Sequence, residues 1–309
     1  MKSLCWSALV LAFFVIPWAG AVPLRVEKTA EAVTIHSEKA PVLRYVLKQP
    51  PDAGLPVESA CYFHPLTSPG GVGLTEVAPG DHKHHRGVFL AWVEMHGGGV
   101  DADFWGWGES APIARRKIVN RDVVALVAES TAGGFTARNE WRTDDTVMLH
   151  EELRSEVSER DGIHVLDLTY TFNAPAELTL SRWAFSGFCV RTRKEGVVAW
   201  DPSGKVSLPA PQHTKPESNW PDRPWYAFTL KGADNRAAGV AVMSHPANSP
   251  TLWHNAVGLG MLNPCVVAPA ALKVTPGKPL VLRYRVVTFD GDLPTEKLDK
   301  HAREWAARK

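Results

Sequence analysis

Val147-Met148-Leu149-His150-Glu151-Glu152-Leu153-Arg154-Ser155-Glu156-Val157, then Asp161-Gly162, then His164-Val165-Leu166-Asp167-Leu168-Thr169-Tyr170-Thr171-Phe172 is the stretch that decides the fold. Its two halves are β-rich and alternate apolar with polar residues, the period of a strand with one buried face. Asp-Gly between them is a hairpin turn, because both positions need positive φ. Working outward, similar runs recur at 33–36, 42–47, 88–93, 123–128, 135–142, 197–200, 225–230, 239–243 and 280–289, separated by Gly, Pro, Asp and Asn. Asp144-Asp145 is a weaker turn signal. Strands that follow one another without helical periods in between predict an all-β chain, a large antiparallel β-sandwich. One helix is expected, at the C-terminus from Pro294-Thr295-Glu296, with Leu298, Ala302 and Trp305 on one face and a Glu296–Lys300 pair on another. The Pro-rich segment between Asp201 and Trp225 reads as a surface or active-site loop.

Lys2, the apolar run Leu4 to Ile16 and Ala19-Gly20-Ala21 stand in the order of a secretory signal, so residues 1–21 are expected to be cleaved and residues 22–309 to form one exported domain. Periplasmic or secreted localisation follows, with no membrane partner after cleavage. Cys61, Cys189 and Cys265 then remain, too few for a disulfide scaffold and without the paired spacing of a structural zinc site. Basic and acidic residues number 34 and 33, and the basic ones form no stripe, which argues against a nucleic-acid partner. Twelve Trp suit both a core and flat platforms for sugar faces.

Reactive side chains are densest at Asp81-His82-Lys83-His84-His85-Arg86-Gly87, after Pro79-Gly80 and before the apolar run at Val88. An extended backbone there would put His82 and His84 on one face and His85 on the other. Histidine gives or takes protons near neutral pH, so His82, His84, His85 and His64 are the candidate acids and bases, Asp81 an orienter and Arg86 a hydroxyl clamp. Glu140 or Glu151 would complete a His–carboxylate pair, against the plainer reading of both as solvated strand residues. In Asp103-Phe104-Trp105-Gly106-Trp107-Gly108 the two indoles would flank a sugar ring and Asp103 would accept hydroxyl protons; the competing reading is a tight turn with Trp105 plugged into the core. His245, Asn248, Trp253 and His254 form a comparable polar and aromatic loop, with His245, Asn248 and His254 the candidate substrate contacts. Nothing in the sequence requires a cofactor; a divalent metal on His82, His84 and His64 is the alternative. No Gly-x-Ser-x-Gly elbow, phosphate loop or dinucleotide fingerprint is present.

These motifs, with His64-Pro65-Leu66, Gly73-x-Thr75, His245-Pro246-x-Asn248 and Leu282-Arg283-Tyr284-Arg285-Val286 through Asp290-Gly291, resemble over nearly the whole mature chain the bacterial PmoA-like family, which genome annotation calls methane oxygenase PmoA. The departure is Lys83, where that family's pattern has proline, and a looser local backbone is expected from it. The label implies a copper-bearing membrane subunit, whereas the apolar run here is a cleavable leader, so methane oxidation is set aside. The order of the His-Pro-Leu segment, the His-Arg-Gly segment and Leu272-x-Val274-x-Pro276-Gly277-x-x-Leu280 also resembles the galactose-mutarotase supersandwich, a likeness of fold that licenses no chemistry. The expectation is an exported carbohydrate-active enzyme, an epimerase, lyase or hydrolase, acting on a small-molecule sugar or oxidised sugar. A non-catalytic sugar-binding sandwich and a His-ligated metalloenzyme are the alternatives.

Overall fold

The long hairpin organises the larger of two facing sheets. In the computed structural model, which describes residues 24–129 and 132–309, Thr146–Arg160 pairs antiparallel with Ile163–Asn173 over eleven residue pairs, from His150 opposite Asn173 to Arg160 opposite Ile163. Asp161 and Gly162 take φ of 53° and 75°, the left-handed pair such a turn demands. Leu149, Glu151, Leu153, Ser155, Val157 and Glu159 all turn inward, while His150, Glu152 and Arg154 face solvent. Glu151 is therefore buried, contrary to the solvated reading of that position. The expected leader at residues 1–21 lies outside the described residues.

Nine strands form this sheet, in the order Gly204–Lys205, Val198–Asp201, Tyr226–Lys231, Ala237–Ser244, Leu280–Asp290, Ile163–Asn173, Thr146–Arg160, Ala132–Thr143 and Arg116–Glu129. A seven-stranded sheet faces it, in the order Arg25–Lys28, Ala32–His36, Pro41–Val46, Tyr62–Leu66, Val88–Ala91, Gly187–Arg191 and Met261–Leu262. One apolar core joins the inner faces: Tyr45 of the smaller sheet lies 4.9 Å from Phe135 of the larger, and Phe188 stacks on Tyr284 at 4.3 Å. Burial of these rings and their aliphatic neighbours is the main drive holding the sheets together. The fold is thus the expected antiparallel all-β sandwich.

The C-terminal helix, Thr295–Ala307, covers the outer face of the nine-stranded sheet. Leu298, Ala302 and Trp305 pack on Trp225, Ala241, Met243 and Val287. Val286 and Val287 therefore serve different cores, and strands covered on both faces read as nearly continuous apolar runs. The helix's spaced ion pair is Lys300 with Glu304 at 3.9 Å, in place of the expected Glu296–Lys300 pair. Cys61, Cys189 and Cys265 are free thiols, the last two in the core.

Candidate active site

Pro79 to Gly87 folds as two successive turns at the entrance to Val88–Ala91. His82 N–H donates to Pro79 C=O at 3.0 Å and His85 N–H to His82 C=O at 2.9 Å, while Ala78 N–H to His85 C=O at 2.8 Å closes the base. The extended arrangement expected from the sequence does not form; the second turn instead brings all three imidazoles together. His82 stacks on His85 with centroids 4.9 Å apart, and His84 stands edge-on to His85 at 4.7 Å. Lys83 occupies the second position of the His82–His85 turn, one that proline favours, and the turn closes without it. Gly87, at φ 62°, is required: a Cβ there would sit 2.1 Å from Phe63 C=O.

Charged neighbours of the cluster are occupied with one another. Burial raises the Asp81 carboxyl, but Lys194 at 3.0 Å and Arg191 at 2.8 Å outweigh it and hold the group down at about 2. Asp81 comes only within 3.8 Å of His82 Nδ1, beyond hydrogen-bond reach, so it holds no ring in place. Arg86 is fully buried and donates to C=O of His84 (3.2 Å), Trp105 (3.2 Å) and Phe104 (3.1 Å), with Phe89 under its guanidinium. It clamps two loops together rather than a ligand hydroxyl. Burial holds His84 down at about 3, helped by the neighbouring His82 and Arg86, and holds His85 well below its ordinary value. His82 is lowered for the same first reason. At neutral pH these imidazoles are uncharged.

The aromatic segment divides its labour differently from expectation. Asp103 is buried and accepts N–H of Gly106 (2.7 Å) and Gly108 (2.6 Å), so its oxygens cap a turn instead of awaiting sugar hydroxyls. Gly106, at φ 104°, lets that turn approach His84: an added Cβ would lie 2.8 Å from His84 Cβ. Trp105 is fully buried, as the core reading has it, with one edge toward the histidines. Trp107 is half-buried and meets Trp183 at 5.5 Å and Phe185 at 5.2 Å, both edge-on.

Between these groups lies a cavity of about 30 Å³ lined by His82, His84, His85, Trp105, Trp107, Phe185, His213, Leu259 and Met261. Such a volume holds about one water molecule. The chemistry, not the size, distinguishes it. A larger groove of about 760 Å³ beside the C-terminal helix is rimmed by groups already paired, such as Arg308 with Glu156 and Asp167, and Arg285 with Asp167.

Several expected residues stand elsewhere. His64 bonds Thr75 Oγ1 at 3.0 Å and does not line the cavity. His245 accepts Ala247 N–H and donates from Nε2 to Arg308 C=O at 2.9 Å, which ties down the end of the C-terminal helix. Asn248 bridges Ser244 and the Arg283 backbone. Glu140 is held by Arg121 and Arg142. Glu151 accepts Asn139 and Trp141 N–H groups, and burial pushes it up to about 7. Neither glutamate reaches the cavity, and among the described residues no carboxylate lines it. His254 lies behind the wall, bonded to His213. Among the described residues no group of three His, Cys, Asp or Glu is placed to hold a metal ion, and the expected His82, His84 and His64 set is broken by His64. Nothing in the sequence marks His213, Phe185, Leu259 or Met261 beyond the Pro-rich loop that carries His213.

The model of a family of unknown function, DUF6807, matches residues 32–303. No curated protein matches the chain. Among solved structures it is similar to the Slr1438 protein from Synechocystis, at 11% identity over 90% of this chain and 100% of that one, with a TM-score of 0.39. A galactose mutarotase related enzyme from Lactobacillus acidophilus gives 8% identity, 87% and 97% coverage and a TM-score of 0.38. The GH36 alpha-galactosidase AgaB from Geobacillus stearothermophilus gives 11% identity and a TM-score of 0.40, with 88% of this chain covering 40% of that one. At these scores the likenesses say nothing about the cavity's chemistry.

Proposed function

The chain belongs to the DUF6807 family, whose function is unknown, and from its site we propose a carbohydrate-active enzyme that moves protons through histidine. One observation carries this reading: His82, His84, His85 and His213 meet on one cavity whose wall includes Trp107 and Phe185. The neutral imidazoles of His82, His84 and His85 offer one donor and one acceptor each, the complement of a sugar hydroxyl, and aromatic faces suit the C–H faces of a pyranose. Epimerisation, elimination and hydrolysis all need such a donor and acceptor. Because no carboxylate among the described residues lines the cavity, histidine supplies both sides here in place of the His–carboxylate pair expected from the sequence. The PmoA-like resemblance contributes a name and no reaction. Export is proposed with it, from the order of elements in residues 1–21.

A sugar-binding role without turnover is the second reading, favoured by the lack of a carboxylate among the described residues that line the cavity. The deciding experiment exposes mature protein to monosaccharides, disaccharides and their keto forms, with and without chelator, followed by NMR of both protein and sugar. The enzyme reading expects one sugar to be converted, with shifts at His84, His85 and Trp107. Binding without conversion selects the second reading, and no binding at all ends both.

A further inference from the structure

We propose that His213 is the proton acceptor of the cavity and that Asn219 and His254 are positioning residues that keep its Nε2 bare. The part His213 plays in turnover rests on the carbohydrate reading above; the tautomer does not.

The assignment follows from a chain of hydrogen bonds anchored on a group that can only accept. Ala184 C=O receives Asn219 Nδ2 at 2.6 Å, which fixes the amide orientation and turns Oδ1 toward His254. Oδ1 also only accepts, so His254 Nδ1, at 2.8 Å, carries the hydrogen. His254 is fully buried, and burial followed by the neighbouring His213 keeps its imidazole neutral, held down at about 3. Its Nε2 is therefore a lone pair. His213 Nδ1 lies 3.1 Å away and must donate to it. In neutral His213 that is the only hydrogen, which leaves Nε2 bare on the side of the ring away from His254.

His213 is exposed on the loop between the strands Gly204–Lys205 and Tyr226–Lys231, while its ring lines the cavity with the three clustered histidines. His85 has the opposite tautomer. Fully buried Arg191 donates to His85 Nδ1 at 3.4 Å, so the hydrogen of neutral His85 sits on Nε2. Two of the rings that line the cavity thus have assigned and opposite tautomers, His213 with a bare Nε2 to accept and His85 with an Nε2–H to donate. A neutral imidazole kept neutral by its surroundings is a competent donor to a developing oxyanion. In the step proposed, an O–H or C–H bond of the sugar breaks and its electron pair stays on the sugar. The proton forms a bond with His213 Nε2, and the resulting imidazolium keeps its Nδ1–H on His254. Return of that proton to the sugar restores the enzyme, with nothing oxidised or reduced.

The Nε2–H form predominates in free imidazole side chains, so the reverse form on His213 is a signature readable in the unmodified protein. Long-range proton–nitrogen NMR of isotope-labelled mature protein at neutral pH should find the hydrogen of His213 on Nδ1, and His254→Phe should return it to Nε2. On a sugar that the protein converts, His213→Gln should lower kcat about 10²-fold or more with KM little changed. His254→Phe should lower kcat in part. An Nε2–H tautomer on His213 in the wild type overturns the relay even if the His254 variant fails to fold. Full turnover by His213→Gln overturns the acceptor role. Conversion of no sugar by a wild type that shows the Nδ1–H form retires the carbohydrate reading and the role in turnover, and leaves the relay standing.

Discussion

Trp105 and Trp107 stand two positions apart and have different work. Trp105 is fully buried among Phe89, Phe185 and His85, so Trp105→Ala should cost about 3–5 kcal/mol of stability, read from urea unfolding. Trp107 keeps part of its ring exposed, and Trp107→Ala should cost far less stability while weakening sugar binding by roughly 1–3 kcal/mol, read by titration calorimetry. The reverse pattern would move the ligand wall to Trp105. His85→Phe should keep an aromatic ring against His82 and lower turnover by about 10²-fold through loss of the N–H donor, whereas Asn248→Ala, at a backbone bridge, should change stability alone. At this scale the sequence located the cluster, because three imidazoles within four positions are visible in one line of text. It does not show that Asp81, Arg86 and Asp103, reactive by type, spend hydrogen bonds on Lys194 and Arg191, on three carbonyls, and on two glycine N–H groups.

Among the elements, legibility followed length. The hairpin of Thr146–Arg160 and Ile163–Asn173 shows its period over more than ten residues per arm, and Asp161-Gly162 names its own turn. Met95–Gly97 and Val100–Ala102 have three residues each, too few to display a period, and along the sequence Gly97-Gly98-Gly99 shows only that it opens no helix. It holds a hairpin turn, with Gly98 and Gly99 at φ 60° and 76°. The C-terminal helix was legible from its apolar stripe, and it stands on the opposite face of the large sheet from the main core. Leu298→Ala should therefore cost about 2–5 kcal/mol by leaving a hole over Met243 and Val287, with sugar binding unchanged once the protein is folded. Loss of binding at unchanged stability would instead tie the helix to the site.

Assembly of the cavity belongs to the whole molecule and could not be read along the chain. His82 to His85, Trp105 with Trp107, Phe185, His213 and Leu259 with Met261 come from separate segments, brought together by two sheets and a long loop. Local pattern carries no record of such closure. The site nevertheless leaves a mark on global stability, because His84 and His85 on the cavity and His254 behind it are held neutral in the folded protein. His84 and His254 bind a proton only near pH 3 when folded and His85 is also strongly lowered, against an ordinary value of 6.5 in the unfolded chain. As pH falls below 6.5 the unfolded chain takes up protons that the folded one refuses, so stability falls toward pH 3. Glu151 acts in the opposite sense: folded near 7 against an ordinary 4.5, it loses stability as pH rises between those values. Three imidazoles outweigh one carboxyl where the ranges overlap, and below 4.5 they act unopposed. Asp81, held at about 2 but partly exposed, adds only a screened loss as pH falls below its ordinary 3.8. The thermal midpoint should therefore climb steadily from pH 4 to 6.5, and His254→Phe should flatten that climb by up to about 1.4 kcal/mol per pH unit. A midpoint that holds or rises on acidification would mean that the imidazoles are charged in the folded state. A charged His254 would carry hydrogen on both nitrogens, could not accept from His213, and would leave His213 without its bare Nε2.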